Sequence, residues 1–279
     1  MENQLLNVLG EKLYVSDSTS VQPNVLLRTP IFTPVNKHGS RHSGAELTES
    51  FRNLELFKQE GYESVYIEGL KLNVQTDFKV WCGIVFAFSK YGYKTESIQL
   101  KFTEFVKLCG YKSRRINKNL RQQVEGALER IQSQSLRFRT KDAKKSINTS
   151  LLLKSQYDTE TDTITLMGDS SLWEVYRIDH QILVSFNVLN KIPRAETAQC
   201  LYLFMTGLPK NPIPITLSRM RDRLCLNMSV KEMNRSIRTA IKKLESIGYI
   251  TGTWVKFNGE SAYNVHSRDT ELISNNSKK

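Results

Sequence analysis

Two stretches of this chain carry one arrangement of apolar positions. Leu120, Val124, Ala127, Leu128 and Ile131 stand at i, i+4, i+7, i+8 and i+11, and Met233, Ile237, Ala240, Ile241 and Leu244 stand at the same intervals. At 3.6 residues per turn this spacing lays one apolar stripe along a helix. Each stripe follows a shorter segment closing in Leu-Cys, at Leu108-Cys109 and Leu224-Cys225, and precedes strand-like runs, at Ile250 to Lys256 and Ala262 to Val265 in the second copy. Helix, turn, helix, hairpin is the outline of a winged helix. Two copies predict an α+β chain of tandem winged-helix (winged helix-turn-helix) domains.

Around the two copies the pattern predicts further elements. Residues 1–43, with Pro23, Pro30 and Pro34, read as a mostly irregular N-terminal arm whose first 20 residues are dispensable for binding. A helix begins near Ala45, carries Leu47, Phe51, Leu54 and Phe57, and stops at Gly61. Val65 to Ile67 and Leu70 to Leu72 predict a hairpin around Glu68-Gly69, and Asp77 caps an apolar helix that Gly92 ends. The first copy then has a strand at Ser97 to Lys101, a short helix from Thr103 and a long one from Arg114 to Ser133. Strands follow near Leu136 to Thr140, Ile147 to Tyr157 and Thr163 to Leu166, and then a short helix at Ser171 to Tyr176 and an apolar run from Ile182 to Phe186. The last domain opens with a helix from Arg194 to Leu208, closed by Pro209, Pro212 and Pro214. The predicted division is an arm at 1–43, an N-terminal winged helix at 44–189 for dimerisation and auxiliary DNA contacts, a C-terminal reader at 190–268, and a disordered tail at 269–279. The apolar alternation in the strands at Ile147 to Tyr157 and Thr163 to Leu166 predicts that they form or support the dimer surface.

Charge narrows the partner. The 279 residues carry a net charge of +12 with 39% hydrophobic content, enough for two ordinary cores. Between Leu217 and Phe257 nine Lys or Arg face three Asp or Glu, which is half of the whole excess. A polyanion is the expected partner, although charge alone does not separate DNA from RNA or an anionic membrane. Cys82, Cys109, Cys200 and Cys225 are far apart in apolar segments and read as reduced core thiols. No run approaches the roughly 18 apolar residues of a membrane span, and no export signal is present, so a soluble cytoplasmic protein with no membrane partner is expected.

The basic excess has a place. Ser218 reads as N-cap of a short helix bearing Arg219, Arg221 and Arg223, and Ser229 as N-cap of the long one, with Glu232 completing a capping box. Opposite the apolar stripe stand Lys231, Arg235, Thr239, Lys242 and Ser246, flanked by Asn234 and Arg238, and the following hairpin carries Lys256 and Asn258 near its tip. Such a face joins cations for guanine edges and phosphates to shorter polar groups for other bases. In the first copy the matching face is cationic at its start, with Arg114, Arg115 and Lys118, and acidic further on, at Glu125 and Glu129; Lys141, Lys144 and Lys145 make a cationic hairpin tip that is read as its wing. Catalytic patterns are weak. His38 and His42 lack a third metal ligand, His180 and His266 are isolated, and neither a phosphate loop nor a nuclease constellation is present. No enzyme, cofactor or metal is expected.

Longer stretches carry a resemblance. Val21-Gln22-Pro23, Leu27-Arg28, the run from Asp77 through Trp81 to Ile84, Phe105 to Gly110, Tyr157-Asp158-Thr159-Glu160, Ala198 to Tyr202, Pro214 to Arg221 and Ile247-Gly248-Tyr249 closely resemble the theta-type plasmid replication initiators with two winged-helix domains, and most of all the initiators of FIB-type replicons. The likeness runs from about residue 21 to 268, and the chain differs from some of them in stopping soon after His266. It implies binding to tandem origin repeats (iterons), opening of an adjacent AT-rich tract, and recruitment of the host replication initiator and replicative helicase. It also implies a homodimer that represses its own promoter and a monomer that initiates. The competing reading is a tandem winged-helix transcriptional repressor without a replication role, and from another class a nuclease or relaxase.

Overall fold

The computed structural model describes residues 18–34, 62–92, 97–140, 146–179, 181–226 and 228–269. They divide into two compact units, one formed by 62–179 and the other by 18–34 together with 181–269. The helix expected from Ala45 to Gly61, the tip lysines Lys141, Lys144 and Lys145, and His38, His42 and His180 lie outside the described residues.

Where it is described, the stretch expected to be an irregular arm is regular. Thr19–Pro23 forms strand β1, Asn24–Arg28 a short helix α1 and Phe32–Thr33 a short strand β2. Val25, Leu26, Leu27 and Phe32 are fully buried. Pro23 does not break this structure, because it stands at the N-cap of α1 with φ −66°, the value its ring imposes. Within β1, buried Gln22 donates from Nε2 to Ser20 Oγ at 2.9 Å. The segment belongs with the C-terminal unit, which resumes at Gln181 instead of residue 190.

In the first unit β3 (Tyr62–Glu68) pairs antiparallel with a strand far along the chain, β6 (Ser135–Thr140). No hairpin therefore forms around Glu68-Gly69, and β4 (Leu72–Asn73) is a separate short strand. Helix α2 (Asp77–Tyr91) has eleven of its fifteen residues buried, which makes it the central helix of the unit. Thr76, not Asp77, occupies its N-cap. Asp77 is inside and fully buried, and takes the N–H of Asn73 at 2.8 Å and a two-pronged bond from Arg130 at 2.7 and 2.8 Å, since a buried carboxylate requires a charged partner. Strand β5 (Ser97–Lys101), helix α3 (Phe102–Leu108) and a single 3-10 turn at Ser113–Arg115 lead to helix α4 (Lys118–Gln132). The long helix begins at Lys118 and not at Arg114 because the Asn117 side chain accepts the Leu120 N–H at 2.9 Å and fixes the cap there. Its buried residues are the five of the apolar stripe. The run read as one strand from Ile147 to Tyr157 is two strands in two sheets: β7 (Ser146–Ser150) joins β3 and β6, and β8 (Lys154–Asp158) joins β5 and β9 (Thr163–Met167) in the order β5-β9-β8. Leu151 and Leu152, between them, are buried. Helix α5 (Ser170–Ile178) closes the unit, capped by Asp169.

The second unit pairs β1 with β10 (Gln181–Ser185), Val21 facing Leu183. After α6 (Phe186–Lys191) comes its central helix α7 (Glu196–Thr206), buried from Ala198 through Met205. Strand β11 (Ile215–Thr216), helices α8 (Leu217–Leu224) and α9 (Val230–Ser246), and strands β12 (Ile250–Phe257) and β13 (Glu260–Arg268) complete it, with sheet order β11-β13-β12. All five stripe residues of α9 are buried. Each large one contributes roughly 1.5 to 3 kcal/mol of burial free energy. The order α7, β11, α8, α9, β12, β13 matches α2, β5, α3, α4, β8, β9. Both units are winged helices, the first with β6 and β7 inserted before its hairpin.

Candidate nucleic-acid interface

In the second unit α8 and α9 form the helix-turn-helix pair. Thr216 caps α8, its hydroxyl accepting the Arg219 N–H at 3.2 Å. Cys225 ends it in the left-handed region at φ 47°, and the chain turns into Ser229. Ser229 caps α9 as expected: its hydroxyl accepts the Glu232 N–H at 3.3 Å and donates to the Glu232 carboxylate at 2.7 Å. The hairpin β12–β13 turns over two residues, Asn258 at φ 51° and Gly259 at φ 78°, with Phe257 opposite Glu260. Positive φ at both positions is the signature of a type I′ turn, which suits Asn-Gly.

The cations divide into two groups. Lys231, Arg235 and Lys242 are exposed along the side of α9 away from its buried stripe, beside exposed Thr239, and none has a hydrogen bond or ion pair among the described residues. Together with Asn234 and Arg238 they line a shallow concavity of about 380 Å³. Lys256 and Asn258 are exposed at the hairpin tip. The second group is engaged within the protein. Arg223 is fully buried and donates to the main-chain oxygens of Leu27 at 2.8 Å and Phe32 at 3.0 Å, so the expectation that it touches DNA is overturned. Ser218 does not cap α8, because the helix starts at Leu217 with Thr216 as its cap; the Ser218 N–H and hydroxyl donate to the two oxygens of Glu260 at 2.7 and 2.6 Å. Arg221 donates to Asn234 at 2.8 Å and lies 3.6 Å from Glu260, and Arg238 donates to Ser261 at 2.9 Å while its guanidinium sits 4.1 Å from the Trp254 ring centroid. Arg219 stacks over Phe204 at 5.3 Å. Asp222 has its carboxyl raised from the ordinary range, by desolvation first and by the nearby Glu260 charge.

These observations meet the comparisons with known proteins at one point. The family model described as "Initiator Replication protein, WH1" matches residues 57–206. The chain is 39% identical to a protein named replication protein RepA from Escherichia coli, over 94% of this chain and 93% of the relative, and 33% identical to a RepFIB replication protein A from the same organism, over 94% and 82%. The chain belongs to the RepA-type plasmid replication initiators. A crystal structure of domains 2 and 3 of RctB matches 73% of the initiator and 85% of that chain, at TM-score 0.46 and 12% identity, too slight a likeness to build on.

In the first unit of this initiator Arg114, Arg115 and Lys118 are exposed at the 3-10 turn and the start of α4, and Glu125 and Glu129 are exposed further along. The hairpin in the place of the wing is β8–β9, not the β6–β7 hairpin that leads to Lys141, Lys144 and Lys145. Its tip is acidic, with exposed Glu160 beside Asp158 and Asp162. Arg121 of α4 grips it, donating to the two Asp162 oxygens at 3.2 and 2.9 Å and to Tyr157 Oη at 3.0 Å. Sequence reasoning missed Arg121, Trp254, Glu260 and Ser261, which tie the helix-turn-helix elements to the hairpins. For Glu260 and Ser261 the Asn258-Gly259 pair was the available signal, because a two-residue turn there puts them at the head of β13.

Cys82, Cys109 and Cys200 are buried free thiols and Cys225 is half-buried; burial pushes Cys109 up and Cys200 up to about 12. Such thiols are poor nucleophiles. Among the described residues no helix is long and apolar enough to cross a membrane.

Proposed function

We propose that this initiator binds directly repeated origin sites through the exposed face of α9, with Arg235 as a base reader and Lys231, Lys242 and Lys256 as phosphate contacts. The observation that carries the reading is the row of cations on α9 without a hydrogen bond or ion pair among the described residues, beside a hairpin whose tip carries Lys256. Thr239 and Asn258 supply the shorter polar groups of such a face. Arg114, Arg115 and Lys118 add phosphate contacts from the first unit. Binding opens the neighbouring AT-rich tract and brings in the host replication initiator and the replicative helicase, and as a homodimer the protein represses its own promoter. Leu153, half-exposed at 51% beside the edge strand β8, is a candidate for the dimer surface. No catalytic step is required of the protein.

The test is a footprint on DNA flanking the gene, followed by permanganate probing of supercoiled origin DNA. Protection of direct repeats with reactive thymines in an adjacent AT-rich tract is expected. Protection of a single inverted repeat with no opening would instead fit a repressor, and nicking of the DNA with Mg²⁺ would fit a nuclease.

A further inference from the structure

A two-stranded hairpin has little rigidity of its own, so what a wing touches depends on what holds it against the rest of its module. Here pairing of β13 with β11 and the bond from Tyr263 Oη to Glu245 of α9 at 2.6 Å anchor the base of the wing, and two further sets of side chains hold it closer to the tip. Arg238 leaves the middle of α9, lays its guanidinium 4.1 Å from the centre of Trp254 on β12, and donates from Nη2 to Ser261 on β13 at 2.9 Å. Glu260, the first residue past the tip, takes the N–H and hydroxyl of Ser218 on α8 at 2.7 and 2.6 Å. Arg221, 3.6 Å from that carboxylate, passes the connection back to α9 by donating to Asn234 at 2.8 Å. The ties therefore close a ring from α9 to the hairpin, to α8, and back to α9.

We propose that Arg238 and Glu260 are positioning residues, which lock the wing to the reader helix so that Lys256 and Asn258 meet the DNA backbone in fixed register with the bases read by Arg235. This inference rests on the reading of α9 as the DNA-contacting helix. A guanidinium stacked on an indole and bonded to a hydroxyl is already committed, so its value to binding passes through the wing. The first unit also ties its hairpin to its long helix by an arginine, at a different helix position: Arg121 of α4 holds β8–β9 through Asp162 and Tyr157, with its guanidinium 4.8 Å from the ring centroid of Phe102 on α3. The device thus occurs where the hairpin tip is cationic and where it is acidic, as expected of a fastening and not of a DNA contact.

A double-mutant cycle separates the two roles. Affinity is measured for a duplex of about 30 base pairs carrying the repeat protected in the footprint, and for its scrambled counterpart, with wild type, Lys256→Ala, Arg238→Leu and the pair. Lys256→Ala is expected to weaken wild-type binding on the order of fivefold, as loss of one phosphate contact. In the Arg238→Leu background it is expected to change affinity by less than about twofold, because the unlatched wing no longer delivers Lys256. Trp254→Phe, which keeps a ring under the guanidinium, should preserve the full effect of Lys256→Ala. Trp254→Leu should abolish it, and it serves as the second unlatching variant if Arg238→Leu does not fold. Independent, additive losses with sequence preference intact would overturn the latch alone, as would a silent Lys256→Ala in wild type. If wild type shows no preference for the repeat, the reading of α9 falls and the latch with it.

Discussion

The guanidinium of Arg223 donates through Nε to the main-chain oxygen of Leu27 at 2.8 Å, joining α8 to a segment almost two hundred residues earlier in the chain. A second bond to Phe32 at 3.0 Å makes the arginine a fork across that segment. Arg223→Met would leave the Leu27 oxygen without this donor and the Phe32 oxygen with the weak Cys200 thiol at 3.5 Å, and we expect a loss of roughly 2 to 5 kcal/mol in unfolding free energy by denaturant titration. Where the variant is fully folded its DNA affinity should equal that of wild type, since Arg223 has no exposed surface. A selective loss of DNA affinity with unchanged stability would return Arg223 to the interface.

The same segment makes deletions informative. Removing residues 1–20 takes away Thr19 and Ser20 of β1, which pair with Ser185 and Val184. Such a deletion is expected to weaken the C-terminal unit, contrary to the expectation from sequence that it would be harmless. Removal of residues 18–28 should abolish its cooperative unfolding transition and specific binding together. A chain lacking 18–28 that binds the repeat with wild-type affinity would contradict this placement.

Acid should loosen the hairpin of the first unit. The Arg121 guanidinium, with Tyr157 in support, holds the Asp162 carboxyl below its ordinary value near 3.8. A carboxyl whose folded pKa is depressed contributes stability that is fully present above its unfolded pKa, near 4, and lost as pH falls through the lower folded value. Ring resonances of Tyr157 should therefore be constant from pH 7 to about 5 and shift as pH falls below about 4. In Asp162→Asn that step should be missing; an unchanged step would mean another group is responsible.

Salt dependence reports how many units engage. Four exposed cations of the second unit, Lys231, Arg235, Lys242 and Lys256, and three of the first, Arg114, Arg115 and Lys118, make no hydrogen bond or ion pair among the described residues. Counterion release then predicts a log-log slope of about −5 to −6 for specific binding, falling by about 3 when Arg114, Arg115 and Lys118 are all changed to Ala, with base preference unaltered. A wild-type slope shallower than about −4 would mean that the second unit binds alone.

The apolar stripes of α4 and α9 were legible because a helix that buries one side must repeat its apolar positions every three to four residues, and all ten stripe residues are buried. The β12–β13 hairpin was legible from its alternation. Pairings distant in sequence were not: nothing local to Tyr62–Glu68 states that its partner is Ser135–Thr140, and nothing in Thr19–Pro23 points to Gln181–Ser185. For the site, charge and helical spacing placed Lys231, Arg235 and Lys242 on one exposed face. The same cues could not separate Arg223, Arg221 and Arg238 from these, because an arginine bound to a carbonyl, an amide or an indole looks in sequence like one waiting for phosphate.

The central claim is that the free face of α9 reads bases. Arg235 is exposed in the first half of that helix, where side chains reach base edges in the major groove. The measurement is the affinity of Arg235→Ala for the protected repeat and for scrambled DNA at one salt concentration, with circular dichroism to establish folding. If Arg235 makes a two-pronged contact to guanine, the variant should lose roughly 1 to 3 kcal/mol on the repeat, lose far less on scrambled DNA, and relax its preference at one base position. An equal loss on both DNAs would contradict the assignment of this face as the reader.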